Sequence, residues 1–216
     1  MPLRSFARVV FASIPLLSLV AAQSIFVRHG ETVANATGKY SDATLNVLTT
    51  KGQSQADTLA KKLPSGFDAI YVSPAGRCIL TIGPYLRATR QKATIWPELL
   101  ECCQQRGAAR KHPAGPLRYG PKITVPPEYR AYFIIEPGHD RLIDSPNYQA
   151  GLRQIRMAAD RIRALPTGQK SLFVSHSIAG ARLFEALTGQ PNRIKVDNAS
   201  PILIDRKADQ FTVRKP

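Results

Sequence analysis

Side chains suited to metal or redox chemistry are scarce here: 216 residues include only four histidines, three cysteines, two methionines and one tryptophan. Cys78, Cys102 and Cys103 form no C-x-x-C pair and are too few for a disulfide framework, so they are expected to be packing residues. No histidine stands at a zinc-like spacing from the vicinal Cys102-Cys103 pair, and no metal or other cofactor is expected. Acidic residues are sparse too, 15 against 30 lysines and arginines, for a net charge of +15. Such an excess attracts anions. The chain nevertheless lacks the aromatic-interleaved basic motif of an RNA-binding sheet, so no specific nucleic-acid partner is expected. Internal repeats are absent.

Long apolar runs are lacking as well. The best is the segment from Val9 to Ala22, too short to cross a bilayer comfortably, so no stable membrane span is expected. Arg4 and Arg8 precede it, it holds no acidic group, and it ends in Val20-Ala21-Ala22. This is the pattern of a secretory signal peptide over residues 1–22, which implies an exported protein beginning at Gln23. An organelle-targeting sequence or an uncleaved anchor is the alternative. Cleavage after Ala22 leaves only Gln23 and Ser24 ahead of the first strand.

Residues 23–216 suit a single domain with a sizeable core. Ser24-Ile25-Phe26-Val27, Ala69-Ile70-Tyr71-Val72, Thr94-Ile95-Trp96 and Ser171-Leu172-Phe173-Val174-Ser175 read as buried strands. Ala56, Leu59, Ala60 and Leu63 fall at helical spacing after a cap at Thr49 or Thr50, and Pro64 stops that helix. Ser73-Pro74 predicts an N-cap and a first-turn proline, with Arg77 in the first turn of the helix that follows. Helices are also expected over about 148–165 and 178–187, and final strands at Ile202-Leu203-Ile204 and Phe211-Thr212-Val213. In the first of these helices Arg153, Arg156 and Arg163 lie opposite Leu152, Ile155, Ala159 and Ile162, the layout of a solvated face over a core face. Between Cys102 and Pro146, where seven of the seventeen prolines fall, regular pattern fades. An irregular excursion is expected there, with a short strand at Tyr132-Phe133-Ile134-Ile135, forming a rim or lid. Alternating strands and helices predict a three-layer α/β/α sandwich around a mostly parallel sheet.

His29, one residue past the apolar run that ends at Val27, and His176, directly after the run that ends at Ser175, stand at the carboxyl ends of strands, where open α/β sheets place ligands. Either alone would pass for a core histidine. Together they suggest a catalytic pair, with Arg77 leaving a third strand end toward the same edge. His112 and His139 fall in the irregular region and are expected at the rim or surface.

The order of motifs resembles the histidine phosphatase superfamily, the phosphoglycerate-mutase-like fold, in its RHGE[ST] branch. The resemblance rests on Arg28-His29-Gly30-Glu31-Thr32 with Asn35, on Leu48-Thr49 with Gly52, Gln55 and Ala56, and on Ser73-Pro74, Arg77 and Thr81 in the pattern SPxxRxxxT. Leu99-Leu100-Glu101 and Val174-Ser175-His176 complete it. It implies a phosphomonoesterase of small phosphorylated substrates that works through a phosphohistidine on His29. Arg28, Arg77, Asn35 and His176 would hold the phosphoryl oxygens, because rigid guanidinium forks and fixed donors match the charge of the transition state. By the same resemblance Glu101 is the acid and base, with Glu98, three residues earlier, in reserve. Glu31 would hold the loop after His29.

Departures from the family bear on the outcome. Phosphoglycerate mutases of this fold carry a long tyrosine- and glycine-rich, lysine-bearing insertion after the acid. Glu101-Cys102-Cys103-Gln104-Gln105-Arg106 begins nothing like it, which favours hydrolysis over a mutase-type phosphotransfer. The tryptophan segment common after the acid in small members is missing, and Gly83-Pro84 is expected to interrupt the helix bearing Arg77. A catalytically silent, basic polyanion-binding protein is the alternative of another class. Asn35-Ala36-Thr37 and Asn198-Ala199-Ser200 are glycosylation sequons. A sugar on Asn35 would fill the phosphate pocket, so Asn35 is expected bare, whereas Asn198 is open to modification. Natural substrate and oligomeric state are not legible.

Overall fold

A computed structural model describes residues 23–104 and 116–216. The expected signal segment, His112 and the bases Arg106, Arg110 and Lys111 lie outside the described residues.

The chain runs β1 (Gln23–Arg28), α1 (Val33–Thr37), α2 (Asp42–Leu45), α3 (Thr50–Lys62), β2 (Ala69–Val72), α4 (Gly76–Thr89) and β3 (Ala93–Ile95). It continues with β4 (Arg118–Lys122), β5 (Phe133–Ile135), β6 (Arg141–Asp144), α5 (Tyr148–Ala164), β7 (Ser171–Ser175), α6 (Ser177–Thr188), β8 (Pro201–Lys207) and β9 (Gln210–Arg214). Seven strands form the main sheet in the order β5-β3-β2-β7-β1-β8-β9. The first five run parallel, while β8 and β9 close one edge antiparallel. The result is a mostly parallel α/β sandwich.

Period-two alternation within the strands sends side chains into two cores. Ile25, Val27, Ile70, Val72, Leu172 and Val174 share one core with Leu59 of α3 and Ile79 and Ile82 of α4. Phe26 and Phe173 point the other way, to Ile155 and Ile162 of α5 and Leu183 and Phe184 of α6. Helices therefore cover both faces. Functional side chains are left the sheet's end, where β1 and β7 lie in register with Val27 opposite Val174 and Arg28 opposite Ser175.

Three local expectations are corrected. The helix bearing Arg77 starts at Gly76 with Ala75 as its N-cap, not at Ser73-Pro74. The Ser73 hydroxyl is engaged by His176 at 2.7 Å and accepts from the Ala75 amide, which makes a tight turn before the helix. Gly83-Pro84 does not interrupt α4, which runs through Pro84 to Thr89. A proline removes a single backbone donor, and the missing Cβ at Gly83 leaves room for the ring of Tyr129, which a Cβ would approach to 2.4 Å. That ring belongs to a 3₁₀ segment, Pro127–Tyr132, so the excursion is docked on α4 rather than detached. The excursion also contains regular structure the sequence pattern hides: a two-stranded sheet of β4 and β6, besides β5 at the edge of the main sheet.

Candidate active site

The loop after β1 is held from three sides. Gly30 N–H donates to the Thr81 hydroxyl at 2.8 Å, and that hydroxyl donates onward to the Arg77 carbonyl at 2.6 Å. The four-residue spacing of Arg77 and Thr81 thus lets one helical turn carry a guanidinium and a strut for the loop that holds His29. On the second side the loop lies against α3, where a Cβ on Gly52 would come within 2.0 Å of the Glu31 carbonyl oxygen and one on Gly30 within 2.8 Å of the Gly52 oxygen. Glu31 ties down the same joint. Its carboxylate accepts from the Thr49 hydroxyl at 3.0 Å and from Lys51 at 2.7 Å, and its N–H donates to Gln55 at 2.8 Å. On the third side the segment before β8 lies alongside β1: Ala199 N–H donates to the Arg28 carbonyl at 3.0 Å, and the Asn198 amide to the His29 carbonyl at 2.9 Å.

His29 is buried, and its Nδ1 stands 2.8 Å from the Gly30 carbonyl. A carbonyl only accepts, so Nδ1 carries the proton and Nε2 presents a lone pair. Burial is the main reason its pKa falls, with Arg77 and then Arg28 pushing the same way, to about 3. Desolvation thus outranks the two guanidinium charges. The imidazole is therefore neutral throughout the physiological range.

Arg28 donates through Nη1 to the Val196 carbonyl at 3.2 Å, while its Nε is buried with no partner. Buried orphan donors are costly and rare. Arg77 is fixed by Asn46, whose side-chain oxygen accepts from the Arg77 backbone N–H and from Nη1 at 3.2 and 3.3 Å. Its Nε donates to His176 Nδ1 at 3.2 Å. Asn35 belongs to the capping box of α1: its Oδ1 accepts from the Thr32 amide, and its own N–H donates to the Thr32 hydroxyl. Arg28, His29, Asn35, Arg77 and Glu101 line one cavity of about 260 Å³ with Tyr40, Gln104 and the start of α6.

His176 lies behind that cavity. It is fully buried, its ring centroid 5.2 Å from that of His29. Because Nδ1 accepts from Arg77, the proton sits on Nε2 and is donated to Ser73. Burial, then Arg77, then His29 and Arg28 hold its pKa well below the usual range. In this arrangement it orients Arg77, and neither ring nitrogen is directed to the cavity.

Glu101 accepts at Oε1 from the Ala179 N–H at 2.8 Å, at the amino end of α6. Burial nonetheless raises its pKa, outweighing these backbone donors and the Arg77 charge. A carboxyl group disposed to keep a proton beside a cavity fits a general acid. Glu98, the reserve, does not line that cavity. Residues Pro97–Leu99 form a 3₁₀ turn and Leu100 is extended, so the helical spacing that would bring Glu98 beside Glu101 does not exist. Glu98 is buried on Arg161 at 3.3 Å, and that guanidinium also binds Glu136 and lies 4.1 Å above the Trp96 ring.

The remaining expectations are placed as follows. Cys102 and Cys103 are buried beside Glu101, their sulfurs 2.7 Å apart and Cys103 Sγ pressed against Gly151 of α5. His139 is a surface group near Glu136. Asn198 is not a free sequon: its amide nitrogen donates to both the His29 carbonyl and Asn35 Oδ1. Sequence reasoning also missed Asn46 and Gln154. The latter is buried and donates to the carbonyls of Glu98 and Leu100 at 3.1 and 2.7 Å, holding the segment that leads to Glu101 against α5. No motif marks either residue; each is an isolated amide meeting a partner tens of residues away.

The chain has relatives among known proteins. The chain is 30% identical over 191 residues to a protein of Yersinia enterocolitica described as "Probable phosphoglycerate mutase GpmB", covering 85% of this chain and 84% of that one. Among solved structures it resembles the alpha-ribazole phosphatase of Shigella flexneri, with TM-score 0.64, 23% identity, and coverage of 89% of this chain and 95% of that one. It also resembles a phosphoserine phosphatase of Entamoeba histolytica, with TM-score 0.61, 15% identity, and coverage of 88% and 94%. Among the described residues no helix is long and apolar enough to cross a membrane. The family model of the histidine phosphatase superfamily (branch 1) matches residues 24–216, and the chain belongs to that superfamily.

Proposed function

We propose that this protein hydrolyses phosphomonoesters through a phosphohistidine on His29. The observation that carries the reading is a neutral imidazole held with its Nδ1 proton on the Gly30 carbonyl, in a cavity that it lines with Arg28, Arg77 and Glu101. The phosphoryl group of a small ester sits against Arg28, Arg77 and Asn35. Nε2 of His29 attacks phosphorus as the bond to the ester oxygen breaks, and Glu101 gives its proton to the departing alkoxide. Charge gathering on the three equatorial oxygens meets donors already in place, which is where most of the acceleration arises. Water then attacks the phosphohistidine and loses its proton to the Glu101 carboxylate. The P–N bond breaks, and its electron pair returns to Nε2. The Nδ1 hydrogen bond to Gly30 spreads the positive charge that the ring carries in the intermediate.

A mutase-type transfer uses the same first step and finds support in the similarity to the Yersinia protein. Hydrolysis is favoured by the run Glu101-Cys102-Cys103-Gln104-Gln105-Arg106, which begins nothing like the lysine-bearing insertion that phosphoglycerate mutases of this fold carry after the acid. Initial rates on a panel of phosphomonoesters, with and without an added alcohol or 3-phosphoglycerate, test the choice. Inorganic phosphate as the dominant product in every case is expected; preferential transfer to the acceptor would replace the hydrolase reading with the mutase one.

A further inference from the structure

Asn198 precedes β8, outside every helix and strand, and its side chain reaches under the nucleophile loop. Its Nδ2 lies 2.9 Å from the His29 carbonyl oxygen and 3.3 Å from Asn35 Oδ1. The assignment of these atoms follows from chemistry. The Thr32 N–H at 3.2 Å can only donate, so the Asn35 atom facing it is the oxygen. The Asn198 atom shared between two acceptor oxygens must then be its nitrogen. With two donors on Asn35 Oδ1, the Asn35 NH₂ group is the end left for the cavity that Asn35 lines with Arg28 and His29.

We propose that Asn198 is a positioning residue for the phosphoryl site: it locks Asn35 in the amide orientation that offers donors to the anion. The proposal rests on the phosphoryl-site reading and adds to it a residue that touches no substrate. An unrestrained asparagine is free to turn its amide, and the turned form would present a carbonyl oxygen to a phosphate oxygen, a repulsion in place of a hydrogen bond. Thr32 alone opposes that turn with one long bond at the end of a five-residue helix. Asn198 supplies the second bond from a strap that is itself fixed, since Ala199 N–H donates to the Arg28 carbonyl. A glycan on Asn198 would replace one of the two hydrogens these contacts use, so the active protein carries none there.

The test is a double-mutant cycle read by binding, in which orthovanadate serves as the phosphate-shaped probe and calorimetry gives its dissociation constant. Asn198→Ala is expected to raise that constant about tenfold in the wild-type background and by less than twofold when Asn35 is already alanine. A thermal melt accompanies each variant, and Asn198→Ser, which keeps one donor, replaces the alanine variant if that one does not fold. A loss below twofold in the wild-type background overturns the proposal. So does a loss of twofold or more that persists without the Asn35 amide, because Asn198 would then act on the fold at large. Failure of the unaltered protein to bind vanadate would overturn the phosphoryl-site reading itself, and the role of Asn198 with it.

Discussion

Acidification should unfold this protein in a way that depends on one imidazole. His29 is neutral in the fold because burial, Arg77 and Arg28 lower its pKa from 6.5 to about 3. Between those values the unfolded chain binds a proton that the native state refuses. Stability contributed by the neutral ring is therefore complete above pH 6.5 and is lost as the pH falls toward 3. At pH 4 the cost is about 3 kcal/mol, a large share of the net stability of a domain. His29→Asn removes the titration while keeping an amide donor for the Gly30 carbonyl. Urea unfolding at pH 8 and pH 4 measures the effect, since extrapolated free energies of both proteins are compared across the same pH step. Carboxylates and His176 titrate in both and cancel. The wild type is expected to lose about 3 kcal/mol more than the variant over that step. Equal losses, within about 1 kcal/mol, would show that His29 is not held neutral by its surroundings and would refute the reasoning.

Glu101→Gln removes the proton that the leaving alkoxide needs. Its kcat/KM, which reports only the first phosphoryl transfer, should fall about a hundredfold on alkyl phosphates and by less than about tenfold on nitrophenyl phosphate, whose leaving group departs unaided; equal losses of kcat/KM on both would move the acid elsewhere. Thr81→Val keeps the shape of α4 but leaves the Gly30 N–H unsatisfied, so urea unfolding should show a loss of about 1–3 kcal/mol. The same variant should lower kcat more than KM, because the loop it supports carries the nucleophile.

What the sequence reveals and conceals follows from the range of each interaction. Ile25-Phe26-Val27 and Leu172-Phe173-Val174 announce buried parallel strands because every position is apolar, and a histidine shortly after each run is then placed at the sheet's edge without further information. The helix over Tyr148–Ala164 shows its stripe for the same reason: Ile155, Ala159 and Ile162 are buried at helical spacing. Ser73 misled because its hydroxyl has two uses, and His176, a partner 103 residues away, engages it instead of a helix end. Glu98 stands in reserve to Glu101 in sequence because helical spacing would bring the two together, and the 3₁₀ turn and the charge of Arg161 separate them. Asn46, Gln154 and Asn198 leave no periodic trace, since a single amide bridging distant backbone groups changes no pattern around it. The β4 and β6 strands were hidden by prolines and by side chains that are mostly exposed.

The central claim is that His29 becomes covalently bonded to phosphorus during turnover. Rapid quenching of the working enzyme into alkali, followed by peptide mass spectrometry, tests it most directly. The account predicts an acid-labile, alkali-stable phosphoryl group on the peptide containing His29, formed and consumed at least as fast as kcat and missing in His29→Asn. Turnover at full rate with no phosphorylated peptide at that position would contradict it.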